Sequence, residues 1–123
     1  MKDAPDDCGF STAIKVIGGK WKAAILWELH LAPRRFGRLR KLIPGISEKM
    51  LAEQLRAMEE DGLIDREAHP GSPPKVVYSL TGHGAALNDG VTTLAHWGRA
   101  HQRRANATPA TSAEANRPDN VFA

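Results

Sequence analysis

From Arg34 to Gly62 the chain reads RRFGRLRKLIPGISEKMLAEQLRAMEEDG. Phe36, Leu39, Leu42 and Ile43 recur at helical spacing, with Arg35, Arg38 and Lys41 on the other side. The spacing predicts a helix over residues 34–43. Pro44-Gly45 then breaks it. Ser47 is a good N-cap for a second helix, and Ile46 before it is placed to pack on Leu51 as a hydrophobic staple. Leu51, Leu55 and Met58 make the apolar stripe of that helix, and Gly62 ends it at a position that suits a left-handed residue. Helix, turn of about four residues, helix is the arrangement of a helix-turn-helix.

Working outward toward the N-terminus, the run from Phe10 to Leu31 is also helical in pattern. Ile14 and Ile17 are spaced by three, and Trp21, Ile25 and Leu29 by four. Gly18-Gly19 costs about 2 kcal/mol of helix propensity relative to two alanines, so the run divides into a short first helix and a second near Lys20–His30, closed by Pro33. Toward the C-terminus, Ile64, Arg66 and Ala68 alternate weakly with Asp65 and Glu67. The loop His69-Pro70-Gly71-Ser72-Pro73-Pro74 excludes helix, and Val76-Val77-Tyr78-Ser79-Leu80 is rich in strand formers. A two-stranded ribbon with a stiff tip is predicted. Thr81 opens a last helix, in which Leu87, Val91 and Leu94 follow a coiled-coil-like spacing that Trp97 and His101 extend. The additional glycine in Thr81-Gly82-His83-Gly84 should weaken its start. The expected organisation is an arm over 1–9, one domain over 10–103 and a disordered tail over 104–123, where Ala, Thr, Ser, Asn and Pro dominate. The fold class is mainly α with a small β-wing, a winged helix-turn-helix.

The chain has 123 residues, 41% of them hydrophobic, with a formal net charge of +3. A domain of this size buries roughly two-thirds of its unfolded surface, so subunit association is a natural source of added stability. No apolar run reaches the ~18–20 residues that span a bilayer, and no membrane partner is expected. The acidic start, Met1 to Asp7, does not read as a signal peptide. A single cysteine excludes an intrachain disulfide, and a reducing cytosol is the expected location. Charge is unevenly spread: Lys15, Lys20, Lys22, Arg34, Arg35, Arg38, Arg40 and Lys41 face one acid, Glu28, in that window. Such a block suits a phosphate-facing surface, although an ordinary solvated face would have the same composition.

The second helix of a helix-turn-helix enters the DNA major groove with its N-terminal residues at the base edges. Here its outer side holds Lys49, Ala52, Glu53, Arg56 and Glu60, flanked by Met50 and Gln54. Lys49 and Arg56 suit guanine edges or phosphate, Gln54 suits adenine, and Glu53 suits a cytosine amine. Ser47 begins the surface. Arg34, Arg35 and Arg38 are candidates for phosphate, as are Arg66, His69 and Lys75 on the wing. The five histidines lack metal-ligand spacing and one cysteine makes no zinc motif. Gly18-Gly19-Lys20 is not a phosphate loop, since it lacks the first glycine and no strand precedes it. No cofactor, no metal and no enzymatic activity are expected. Trp21, Trp27 and Trp97 fall within helical apolar patterns and are expected in core or interface.

These residues carry a resemblance. Val16-Ile17-Gly18-Gly19-Lys20-Trp21-Lys22, Pro33 to Arg40, Pro44 to Leu51, Asp61 to Arg66 and Pro73 to Thr81 resemble, in order, five motifs of the HxlR-type branch of the MarR-like winged-helix regulators. The resemblance runs from Cys8 to about Trp97. It implies a transcription regulator that binds double-stranded DNA as a homodimer on a pseudo-palindromic operator. It implies a dimer interface made by the first and last helices, hence Phe10, Ile14, Ile17, Leu87, Val91, Leu94 and Trp97. Cys8 matches the position at which some members sense oxidants or electrophiles, although Gly9 stands where the family usually has proline. Lys15 and a helix N-terminus favour a thiolate there, whereas Asp6 and Asp7 oppose it. Two other readings stay open: a regulator responding to another small effector without Cys8, and a winged-helix protein-interaction module that does not bind DNA.

Overall fold

The computed structural model describes residues 9–107. Cys8, most of the N-terminal arm and the chain beyond residue 107 lie outside the described residues. Five helices and three short strands follow one another: α1 (Phe10–Ile17), α2 (Lys22–Leu31), β1 (Arg34–Arg35), α3 (Phe36–Leu42), α4 (Glu48–Glu60), β2 (Ile64–His69), β3 (Lys75–Leu80) and α5 (Gly82–Asn106). The chain divides into two compact units, residues 1–88 and 89–123, and α5 crosses the boundary. This is a mainly helical winged helix-turn-helix, as the hydrophobic periods predicted.

In the first unit, the glycine pair ends α1 as expected. Gly18 donates its N–H to the Ile14 carbonyl at 2.9 Å, and Gly19 adopts a left-handed φ of 100°. The second helix begins at Lys22, two residues later than the sequence suggested, and the Lys22 Nζ donates to the Val16 carbonyl across the break at 3.2 Å. The core is continuous through this unit. Ile25, Leu26 and Leu29 of α2, Leu39 of α3, Ile43 and Ile46 of the turn, and Leu51, Leu55 and Met58 of α4 are buried, together with Leu63 and Ile64. Each such side chain contributes roughly 1.5–3 kcal/mol of transfer free energy.

The sheet has three strands in the order β1-β3-β2, where two were expected. β2 and β3 form the antiparallel ribbon from Ile64↔Leu80 to His69↔Lys75, closed by the loop over residues 70–74. Arg34 and Arg35 add an edge, paired antiparallel with Tyr78 and Val77. The helix predicted from residue 34 therefore starts at Phe36. The strand pairing wins because it satisfies backbone groups just after Pro33, where the first turn of a helix would leave N–H groups without partners.

Gly84, which lowers the helix propensity of the start of α5, is buried there and permits a close approach. A Cβ there would overlap the Leu63 carbonyl and crowd the Leu80 Cδ1. In the second unit α5 continues as helix through Asn106, so residues 104–106 are helical rather than tail.

Candidate nucleic-acid interface

The turn between α3 and α4 is a compact device. Ile46 donates its N–H to the Ile43 carbonyl at 3.4 Å, Pro44 sits at the second position, and Gly45 takes a φ of 88° at the third. That is the backbone of a type II turn, which favours proline and glycine at those two places. Ser47 then caps α4, its Oγ accepting from the Met50 N–H at 3.0 Å. Glu48 follows in the first turn, where a carboxylate complements the helix dipole. It lies 3.9 Å from the Arg40 guanidinium, an exposed pair that joins the end of α3 to the start of α4.

The far end of α4 is fixed equally closely. Gly62 at φ 75° donates to the Glu59 carbonyl at 3.0 Å, and Leu63 donates to the Met58 carbonyl at 2.9 Å. Both bonds of a Schellman cap are present. Beyond it, Thr81 accepts from the Gly84 N–H at 3.0 Å and so caps α5. Its hydroxyl also faces the Gly62 and Leu63 carbonyls, at 2.7 and 3.0 Å.

With both ends held, α4 has two distinct sides. Leu51, Leu55 and Met58 are fully buried. Ser47, Glu48, Lys49, Glu53, Arg56, Glu59 and Glu60 are exposed, and Met50, Ala52, Gln54 and Ala57 are half-buried. The Gln54 amide is engaged within the helix: its Nε2 donates to the Met50 Sδ at 3.4 Å.

The cations of the basic block are not alike. Arg35 and Arg38 are exposed. Arg34 is turned inward, with its Nε donating to the Glu28 carbonyl at 3.2 Å and its guanidinium 3.5 Å from the Glu28 carboxylate. Its side chain is only 19% exposed. The charge pattern could not separate Arg34 from its neighbours, because its partner lies six residues back across a bend rather than one helical turn away. On the wing, Arg66, His69 and Lys75 are all exposed, and His69 stands opposite Lys75 and 3.6 Å from Glu67.

Of the residues expected at a subunit interface, Phe10 and Ile14 on α1 are 58% and 44% exposed, and Ile17 is half-buried. On α5, Leu87 and Val91 are half-buried, while Leu94 and Trp97 are 51% and 64% exposed. Trp97 stacks on His101 with centroids 4.8 Å apart. Trp27 is exposed beside His30, whereas Trp21 lies near the Gly45 turn under the Lys20 ammonium. Among the described residues no group of histidine, aspartate and glutamate is arranged to hold a metal, and no helix is long and apolar enough to cross a membrane.

A capped helix-turn-helix with a β-ribbon directly after it defines the winged-helix class of transcription regulators. The profile of the HxlR-like helix-turn-helix family matches residues 16–106, and the chain belongs to that family. It is 41% identical over 99 residues to the uncharacterised HTH-type transcriptional regulator YdeP of Bacillus subtilis, covering 80% of this chain and 77% of that one. Among solved structures, a MarR-family transcriptional regulator from Enterococcus faecalis superposes with a TM-score of 0.74 at 36% identity, over 85% of this chain and 94% of that one. The redox regulator HypR in its reduced form superposes with a TM-score of 0.71 at 38% identity, over 76% and 92%. The protein is a transcription regulator of the HxlR and MarR-like type.

Proposed function

We propose that the chain acts as a homodimer on a pseudo-palindromic operator, with α4 of each subunit reading one half-site in the major groove. The observation that carries this is the two-sided character of α4: its apolar stripe is buried, and Ser47, Lys49, Glu53 and Arg56 project outward from a capped N-terminus. Arg35 and Arg38, with Arg66, His69 and Lys75 of the wing, supply phosphate contacts. Lys49 and Arg56 recognise guanine edges or phosphate, and Glu53 accepts from a cytosine amine. The exposed apolar residues Phe10, Ile14, Leu94 and Trp97 support association of two copies, which in water would bury them.

Cys8 is the proposed sensor, its thiol being oxidised, alkylated by a small electrophile or bridged between subunits so that DNA affinity changes. The similarity to a redox regulator supports this reading. Selection of duplexes from a random pool by the full-length protein, followed by footprinting, tests the DNA reading. Two protected half-sites about one helical turn (~34–36 Å) or a multiple apart are expected. Failure to enrich any sequence would leave a winged-helix module for protein partners.

A further inference from the structure

The geometry points to Met50 as a second oxidation site, one that lies on the reading helix itself and acts through Gln54. This rests on α4 contacting DNA, with the weakly held Gln54 amide released to a base edge in the unoxidised protein. Three methionines occur in the chain. Met58 is fully buried in the core, and Met1 lies outside the described residues. Met50 is half-buried at the third position of α4, beside the Ser47 cap, and its sulfur accepts the Gln54 Nε2–H at 3.4 Å. The two residues are one helical turn apart, so the contact is set by the helix and needs no other element.

A thioether is a weak acceptor. A two-electron oxidant such as hydrogen peroxide changes that. The sulfur lone pair attacks one peroxide oxygen, the S–O bond forms as the O–O bond breaks, and the transferred oxygen's proton passes to the departing hydroxide to give water. Sulfur loses two electrons and peroxide gains them. The sulfoxide is polar and chiral, with a strong acceptor oxygen where the sulfur had offered a weak one. It holds the Gln54 amide more tightly and places a bulky dipole at the groove end of the helix. The first effect withdraws Gln54 from a base edge and is the larger of the two. Methionine sulfoxide reductases reverse the change, so the site is a reversible switch independent of the thiol.

The test uses the full-length Cys8→Ser protein and a duplex selected by the untreated protein. After hydrogen peroxide, peptide mass mapping should find one added oxygen on Met50 well before Met58. Affinity should fall at least about fivefold, the lower end of what one good base contact is worth. Treatment with methionine sulfoxide reductases should restore it, and Met50→Leu should show no fall. In Gln54→Ala most of the loss should vanish. Equal oxidation of Met50 and Met58, or unchanged affinity with Met50 oxidised, would overturn the inference while leaving the DNA reading intact. A full loss in Gln54→Ala would overturn the route through Gln54. Untreated protein that binds no duplex would overturn both readings.

Discussion

The Thr81 hydroxyl lies 2.7 Å from the Gly62 carbonyl, joining the end of α4 to the start of α5. The same oxygen accepts the Gly84 N–H, so one side chain closes α4 and opens α5. The two lie 19 positions apart, and the whole wing is strung between them. The position of the wing beside α4 is therefore fixed at its root.

Thr81→Ala should cost about 1 kcal/mol of stability, since it removes the N-cap of α5 and the hydroxyl's one proton, which faces the Gly62 and Leu63 carbonyls, while the Thr81 N–H stays on the Leu63 carbonyl at 3.1 Å. Thr81→Ser should recover most of that. Urea unfolding of the two variants checks the order, and equal stability of alanine and wild type would dissolve the role given to this junction.

Two glycines of α5 should respond with opposite signs to the same change. Gly84→Ala drives a Cβ into the Leu63 backbone, which cannot yield as a side-chain tip would, and should destabilise by roughly 1–3 kcal/mol. Gly90 has nothing within 4 Å of the added atom. Gly90→Ala should stabilise the subunit by up to about 1 kcal/mol through helix propensity, a gain that association through Leu94 and Trp97, on the same side of α5, would reduce. Thermal unfolding of both variants separates close packing from propensity.

Arg34 and Arg38 should fall into different classes. Arg34→Ala removes the hydrogen bond and ion pair to Glu28 and should cost roughly 2 kcal/mol in urea unfolding. Arg38→Ala should leave stability within about 0.5 kcal/mol. It should weaken DNA binding across sequences and reduce the salt slope by about one. A drop in stability for Arg38→Ala with no change in the slope would reverse the assignment.

Leu55→Ala should cost about 2–5 kcal/mol, because its side chain is fully enclosed beneath α4 and truncation leaves a cavity that close-packed neighbours fill only in part. Calorimetry at matched protein concentration checks it.

The helices and the ribbon were legible because their signals are local. Ser47, Leu51, Leu55, Met58 and Gly62 each specify a cap, a stripe or a stop within one or two turns, and α4 matches them. The edge strand at Arg34–Arg35 was not legible, since two residues carry no period and their partner, β3, lies more than forty positions on. The packing role of Gly84 was not legible for a related reason. Propensity judges a glycine by its own helix, whereas the need for it comes from the Leu63 carbonyl arriving from another element. The outer residues of α4 were identifiable as a face, but the Met50–Gln54 bond required side-chain positions, although their four-residue spacing allowed it.

In the proposed complex the outward side of α4 meets nucleic acid, and a salt titration probes that contact. The full-length protein is titrated onto its selected duplex between 50 and 200 mM salt, alongside a Lys49→Ala/Arg56→Ala double variant. For a surface contacting several phosphates, wild-type affinity should fall by orders of magnitude across that range. The double variant should bind more weakly throughout and lose its preference for the selected sequence over a scrambled one. Affinity that barely changes with salt, or a double variant that keeps full sequence preference, would contradict the account.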